Sequence, residues 1–173
     1  MLKDTDRAVR YSAAEALGEM GKEGAAHAKD VASLLKDADE GVRLTALEAL
    51  GKMGKDAAAC AEEVVALLKD KKSTEYARGH ALETLGKMEV QAPVYAREVE
   101  ALLRDPDGYV RGSALEALGK MGKESTAYAK EVAASLKDPE SYVRGCAVWA
   151  LGDMGREGAV YAKEVASLMD NTF

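Results

Sequence analysis

Two histidines and two cysteines are the residues of this sequence best suited to bind a metal or attack a substrate. His80 and Glu83 would share one helix face, but a single His–Glu pair supplies too few ligands for a transition-metal centre. Neither His27 nor His80 is followed directly by a glutamate. A nucleophilic thiol needs a base, and no histidine occupies the repeat positions around Cys146. We therefore expect no catalytic residue, metal site or cofactor, and predict that the protein is not an enzyme.

Composition and charge narrow the possible partners. The net charge of −6 disfavours general attraction to nucleic acid or to an anionic membrane. Cys60 and Cys146 form no CxxC pair, which indicates a reducing compartment rather than a disulfide framework. The first residues, MLKDTDRAVR, lack the apolar core of a signal peptide, and no apolar run approaches the roughly 18 residues that span a membrane. We predict a cytoplasmic protein that binds neither nucleic acid nor membranes.

Internal repetition organises almost the whole chain. The Val-Arg pair at Val110-Arg111 returns at Val143-Arg144, 33 residues later, and similar pairs occur in register throughout the sequence. The third repeat has two extra residues and carries Glu89 where the other repeats have glycine. This register predicts one repeat domain over residues 1–173, with units at 4–36, 37–69, 70–104, 105–137 and 138–170.

Each unit is predicted to contain two helices. In the fourth unit, DPDGYVRGSALEALGKMG places Val110, Ala114 and Leu118 on one helical face. The following KESTAYAKEVAASLK places Val132 and Leu136 four residues apart on another. Two helices with one apolar face each cannot bury those faces alone, whereas stacked neighbouring units can. The pattern therefore favours an all-α stack of helix pairs, which is an α-solenoid.

The recurring pattern DPxxxVRxxAxxALGxMG resembles the HEAT-like repeats of the phycobilisome-lyase type and the artificial consensus proteins built from them. The resemblance implies an all-α, right-handed α-solenoid of five two-helix repeats, in which the helix carrying VRxxAxxALG lines the concave face. It also implies a ladder of aspartate and arginine between neighbouring units. The arginines assigned to this ladder are Arg10, Arg43, Arg111 and Arg144. The alternative for this row of arginines is a phosphate-binding surface.

One tryptophan interrupts the repeat pattern. In GCAVWALG, residues 145–152, Trp149 stands where the other units carry glutamate, namely Glu15, Glu48, Glu83 and Glu116. Tyrosines recur at another position of the same predicted face. Because Tyr and Trp are common anchors of protein interfaces, we predict a partner-binding surface. Its residues are Tyr76, Tyr109, Tyr142, Cys146 and Trp149. The alternative for Trp149 is that it shields an exposed end of the stack.

These observations predict a non-catalytic scaffold that binds a protein or peptide of unknown identity in the concave groove. The alternative is a subunit of a phycobilin lyase-like enzyme or of another HEAT-repeat enzyme. Leu2-Lys3-Asp4 matches Leu35-Lys36-Asp37, the end of a second-type helix, and neither terminal unit is a clear polar cap. We therefore also expect possible self-association through uncapped ends.

Overall fold

The chain folds as successive pairs of helices. The structure, a computed structural model, describes residues 1–70, 72–88 and 95–170. The first helices of the five repeats are α1 (Arg7–Glu19), α3 (Glu40–Met53), α5 (Glu75–Lys87), α7 (Gly108–Lys120) and α9 (Ser141–Asp153). The second helices are α2 (Ala28–Ser33), α4 (Ala61–Lys69), α6 (Ala96–Ala101), α8 (Ala129–Ala134), and the pair α10 (Arg156–Ala159) and α11 (Ala162–Asp170). The predicted all-α solenoid class is confirmed.

Contacts between helices divide the chain into two units, Met1–Val90 and Gln91–Phe173. In the first unit, α1 packs on α3, and α3 packs on α5. In the second unit, α7 packs on α9, and each of these helices also contacts the second helix of its own or the preceding repeat. Within the described ranges, none of the helices combines the length and apolar character that crossing a membrane requires. The single domain over 1–173 stays a prediction.

The first helices have matching starts and ends. The Asp107 carboxylate accepts a hydrogen bond from the Val110 amide at 3.1 Å, and Asp39 caps α3 in the same way. Such caps satisfy amides that have no partner inside the helix. Glycines with positive φ, a conformation that costs glycine little, follow three of the first helices; they are Gly21, Gly54 and Gly155. The repeated sequence thereby sets the boundaries of the repeated helices.

The apolar faces that the spacing predicts are buried. In the second unit, Val110, Ala114 and Leu118 of α7 are shielded from solvent, as are Val132 of α8 and Leu136 just after it. Alanines and glycines at the contacts between first helices allow close approach. A Cβ added to Gly119 would stand 3.0 Å from the Cα of Ala150 in the next repeat. The small residues of the ALG motif are therefore what lets neighbouring repeats pack.

Arginine–aspartate pairs join neighbouring repeats in the described part of the chain. Arg10 Nε lies 2.6 Å from Asp37 Oδ2, and Arg111 Nε lies 2.8 Å from Asp138 Oδ2. Each aspartate belongs to the repeat after its arginine. The hydrogen bonds from these guanidinium groups, opposed by partial burial, hold the pKa of Asp37 and of Asp138 below the usual value. The predicted ladder is confirmed at these junctions.

The ladder differs at the third repeat. Arg43 Nη1 donates to the Asp37 carbonyl at 2.8 Å, but no ion pair joins Arg43 to Asp70 in the part of the chain that the structure describes. The two extra residues of this repeat change the spacing between Asp70 and the α5 helix. Lys71 and Glu89, where the sequence departs from its pattern, lie outside the described residues.

Candidate functional site

The most exposed large aromatic side chain of the described residues is that of Trp149, in the middle of α9. It is 76% exposed. Val143, Ala147 and Ala150 form the buried face of the same helix and direct Trp149 away from the core. An indole left in water at this position contributes nothing to the apolar core of its own repeat. It is therefore available for contact with another molecule.

Tyr142, two turns before Trp149 on α9, is held against the neighbouring helix α7. Its side chain is 49% exposed, and its ring lies over Gly112. A Cβ added to Gly112 would stand 3.1 Å from ring atoms Cδ1 and Cζ, with Cε1 closer still. Only glycine leaves this seat open without displacing the ring. The seat therefore fixes one face of Tyr142 and leaves the other exposed.

Cys146 lies beneath this surface rather than on it. The residue is only 6% exposed, and its Sγ lies 3.7 Å from Glu116 Oε1. The Tyr142 hydroxyl interacts electrostatically with the same thiol. Burial is the largest cause that raises the pKa of Cys146, and the Glu116 charge adds to it. Cys146 therefore supports Tyr142 from below, and its predicted direct part in partner binding stays a prediction.

The same contacts act on Tyr142. Burial against α7 raises the pKa of its hydroxyl well above the usual value, and the interaction with the Cys146 thiol is the next largest cause. The carboxylate of Glu116 and the hydroxyl of Tyr109 contribute further. Tyr109 is partly buried near the start of α7. Like Tyr142 and Trp149 on α9, it belongs to the second unit. These three residues are called the aromatic surface below.

Tyr76 belongs to the other unit. It is exposed on α5 of the first unit. On the same helix, His80 Nδ1 lies 3.9 Å from Glu83 Oε2. The structure therefore does not add Tyr76 to the aromatic surface, and its predicted part in binding stays a prediction. No group of three or more His, Cys, Asp or Glu side chains suited to a metal occurs among the residues that the structure describes.

The fifth repeat replaces a charged network with an indole. In the second repeat, Lys52 bridges Glu48 at 2.8 Å and Glu19 of the first repeat at 2.7 Å. The residues equivalent to Glu48 and Lys52 in the fifth repeat are Trp149 and Asp153. α9 therefore has no counterpart of the Glu48–Lys52 ion pair of α3. At these two positions α9 carries an indole and a carboxylate, whereas α3 carries an ion pair.

Two residues of this site are not evident from residue type alone. Gly112 seats Tyr142, and Glu116 accepts from Cys146. In both cases the contact joins residues 30 apart, which is the repeat length of 33 less one helical turn. The spacing of the repeats could therefore have predicted both contacts. In these two contacts, a residue of one repeat meets the position three residues earlier in the next repeat.

The stacked geometry and the repeated contacts agree with a family match. The sequence matches the family model described as HEAT repeats over residues 1–86 and 97–170. The chain belongs to the HEAT repeat family. This confirms the resemblance that the DPxxxVRxxAxxALGxMG pattern indicates. A search of curated protein sequences finds no match to this HEAT repeat chain.

Solved structures share the fold of this HEAT repeat chain at low identity. The complex of CpcE and CpcF of phycocyanin lyase from Nostoc sp. PCC7120 matches with a TM-score of 0.77 and 22% identity, over 99% of this chain and 68% of that chain. A designed armadillo repeat protein in complex with the peptide (KR)4 matches with a TM-score of 0.75 and 16% identity, over 99% and 90%. Kap121p bound to Pho4p matches with a TM-score of 0.76 and 16% identity, over 96% of this chain and 20% of that chain. At these identities the likeness establishes the fold alone.

Proposed function

We propose that this HEAT repeat protein is a cytoplasmic, non-catalytic scaffold that binds a protein or peptide through its aromatic surface. The observation that carries the proposal is the exposure of Trp149 beside a Tyr142 ring that is already seated. Exposed tryptophan and tyrosine side chains are common anchors of protein interfaces, and both types occur here on one helix. The HEAT stack supplies the rigid frame that holds the surface in place.

The exposed area of Trp149 is large enough to anchor a ligand. A tryptophan side chain buries up to about 250 Å². With 76% of it exposed, roughly 190 Å² remains to be covered, which at about 25 cal/mol per Å² gives an upper limit near 5 kcal/mol. Ordering and desolvation costs reduce this gain, so a typical anchor contribution of about 2 kcal/mol is the reasonable expectation.

The seat of Tyr142 lowers the entropic cost of binding. Gly112 lies against one face of the ring, and about half of the side chain is buried. A side chain that is ordered before binding loses less rotamer freedom when the ligand arrives. The exposed half of Tyr142 can therefore contribute its contact area at little further cost.

The state of Cys146 supports a binding role over catalysis. A thiol acts as a nucleophile in its thiolate form, whereas burial and the neighbouring Glu116 carboxylate raise the pKa of this thiol. The residue is also almost fully buried. This arrangement suits a side chain that positions Tyr142.

Similar structures include proteins in complex with peptides or proteins. The designed armadillo repeat protein is in complex with (KR)4, Kap121p is bound to Pho4p, and CpcE is in complex with CpcF. These proteins support a protein or peptide as the class of ligand for this chain.

The test is a selection followed by a matched comparison of variants. Peptides are selected from a random library on the immobilised protein, and their dissociation constants are measured by calorimetry for the wild type and for Trp149→Glu. We expect Trp149→Glu to weaken binding about 30-fold, since 1.4 kcal/mol corresponds to tenfold and the anchor contributes about 2 kcal/mol. The folded state should be unaffected, because glutamate is the residue of the equivalent positions.

The control variant is Val160→Glu. Val160 is 75% exposed and follows α10, so it matches Trp149 in exposure but not in position. We expect it to bind the selected peptides as the wild type does. Equal affinities of the wild type and Trp149→Glu for every selected peptide would overturn the proposal.

A further inference from the structure

The rung of the arginine ladder at Arg43 is open. At the closed rungs, Arg10 and Arg111 each hold the carboxylate of the next repeat through Nε and Nη2, and both Nη2 contacts measure 2.9 Å. Arg43 is the equivalent residue of the second repeat, and its Nε and Nη2 make no hydrogen bond with any residue that the structure describes. The guanidinium edge that binds a carboxylate at the closed rungs is therefore accessible to a ligand at Arg43.

The Arg43 guanidinium is already held as in a closed rung. Its Nη1 donates to the backbone carbonyls of Asp37 and Ala38, at 2.8 and 3.1 Å. Nη1 of Arg111 donates to the equivalent carbonyls of its own repeat, at 2.9 and 3.1 Å. The planar guanidinium of Arg43 is thus fixed at one end before any ligand arrives. A group that is ordered in advance loses less freedom on binding.

Asp70, the equivalent aspartate of the next repeat, does not close this rung. Asp70 is exposed, whereas the side chain of Asp138, which closes the rung at Arg111, is only 10% exposed. Oδ1 of Asp70 accepts a hydrogen bond from the Lys72 amide at 2.9 Å, and no ion pair joins Asp70 to Arg43 within the described ranges. The two extra residues of the third repeat lie between Asp70 and α5. The register that brings Asp138 onto Arg111 is therefore not kept here.

The open rung faces a groove beside α4, with a volume of about 380 Å³. We call it the open-rung groove; its lining includes Lys36, Arg43, Glu63, Leu67, Lys72 and Ser73. An equivalent groove of about 470 Å³ lies beside α8 in the second unit. There Arg111 is buried, at 9% exposure, by its pair with Asp138. The same groove thus occurs with a closed rung and with an open one, and the open one presents an arginine to a ligand.

The charges of the open-rung groove favour an anionic ligand. Its cationic side chains are Lys36, Arg43 and Lys72. Among its carboxylates, Asp37 is already paired with Arg10, at 2.6 Å. Glu63 and Asp70 remain, and neither forms an ion pair with a residue that the structure describes. The cations therefore outnumber the carboxylates that are left to balance them, even though the whole chain carries a net charge of −6.

We propose that the open-rung groove binds an aspartate or glutamate side chain of a partner protein, with the two carboxylate oxygens on Nε and Nη2 of Arg43. A carboxylate is the expected ligand because the closed rungs at Arg10 and Arg111 hold one in this way, with one oxygen on each nitrogen. Such bidentate, charge-assisted pairs are among the stronger hydrogen bonds of proteins. This site goes beyond the proposed function, since it lies in the first unit and needs neither Trp149 nor Tyr142.

An NMR titration of the whole chain tests the site. The probes are the peptides Gly-Glu-Gly and Gly-Gln-Gly, both capped at their ends, and inorganic phosphate; the Arg43 Nε–H resonance is assigned by its loss in Arg43→Lys. We expect Gly-Glu-Gly to shift this resonance and Gly-Gln-Gly to bind at least about tenfold more weakly. Arg43→Lys should weaken binding of Gly-Glu-Gly about tenfold, because an ammonium cannot form the bidentate pair.

The second groove supplies a matched control for the charges. Lys36→Gln should weaken binding of Gly-Glu-Gly about threefold, since it removes a cation from the open-rung groove. Arg104 is the residue equivalent to Lys36 beside the closed rung, and Arg104→Gln should bind the peptide as the wild type does. A shift of the Arg43 resonance by phosphate at lower concentration than by Gly-Glu-Gly would overturn the assignment of the ligand as a carboxylate.

Asp70→Asn distinguishes an open rung from one that Asp70 closes in solution. Asparagine keeps a side-chain oxygen that can accept the Lys72 amide, so the substitution removes only the charge. We expect it to leave the free energy of unfolding unchanged and to tighten binding of Gly-Glu-Gly about threefold, because a competing carboxylate is lost. Asp138→Asn is the control, since it breaks a closed rung and should lower stability.

Three results would overturn the proposal: a loss of stability in Asp70→Asn as large as that in Asp138→Asn, equal binding of Gly-Glu-Gly and Gly-Gln-Gly, or binding of Gly-Glu-Gly that Arg43→Lys leaves unchanged. These measurements use no selected peptide and do not involve Trp149. Failure here is therefore distinct from failure of the proposed function.

Discussion

Replacing Gly112 with alanine should unseat Tyr142 while leaving the rest of the aromatic surface in place. The added Cβ would enter the space that the Tyr142 ring occupies. Gly145 provides the matched control, because it is the equivalent residue one repeat later and no described atom would lie within 4 Å of its added Cβ. Both substitutions gain the same helix propensity, up to about 1 kcal/mol relative to glycine.

The magnitude follows from the buried half of the ring. Tyr142 is 49% exposed, so unseating it re-exposes roughly 100 Å² of the 150–250 Å² that an aromatic side chain buries. At about 25 cal/mol per Å² this costs up to about 2.5 kcal/mol. We therefore expect Gly145→Ala to be more stable to urea than Gly112→Ala by about 2 kcal/mol, since the propensity gain cancels between them.

A titration reports the seat directly. Burial and the interaction with the Cys146 thiol raise the pKa of Tyr142, so unseating the ring should return that pKa towards the usual value of 10.0. The change is measured as tyrosinate absorbance against pH, with Tyr142→Phe subtracted to assign the signal. In the wild type, the raised pKa implies stability that is present below pH 10 and is lost as pH rises towards the folded-state pKa. Equal stability and equal tyrosinate titration of Gly112→Ala and Gly145→Ala would refute the seat.

Two further predictions concern groups whose pKa values are shifted. Asp138→Asn should lower the free energy of unfolding at neutral pH and make it less dependent on acid pH. The lowered pKa of Asp138 gives stability that is present above the usual value of 3.8 and is lost as pH falls through the folded-state pKa. Urea unfolding between pH 7 and about pH 2 measures this dependence. A dependence as steep as that of the wild type would contradict the role of the Arg111 pair. Cys146 should react with a thiol reagent at neutral pH far more slowly than the free amino acid, since it is buried and its pKa is raised, and Glu116→Gln should speed the reaction. Reaction of native Cys146 at the rate of the free amino acid would contradict its place beneath Tyr142.

The sequence predicted the repeated parts of this structure better than the parts that break the repeat. The helix pairs and the Arg10 and Arg111 rungs follow from spacing, because each copy of the motif meets the same neighbours. The rung at Arg43 is not formed among the described residues, since the two extra residues alter the following turn. The prediction placed Cys146 on the surface, but it is buried, because a helical face assigned from one helix omits the side chain that the neighbouring Glu116 brings across.

The same limit applies to the aromatic surface. Residue type alone predicted Tyr142 and Trp149, but their surroundings differ. Gly112 of the preceding repeat lies against the Tyr142 ring, whereas Trp149 is 76% exposed. Tyr76 shares a repeat position with Tyr142, yet belongs to the other unit. Repeat register identifies equivalent positions, whereas the side chain of the adjacent repeat decides which of them are exposed.

The emission of Trp149 tests the central claim most directly, because it is the only tryptophan in the chain. The spectrum is recorded at a dilution where sedimentation shows a monomer, first alone and then with a saturating selected peptide. The account predicts red emission, typical of an indole in water, that moves to the blue when the peptide binds. Blue emission from the free monomer, or red emission unchanged by a bound peptide, would contradict the assignment of Trp149 as the anchor of the binding surface.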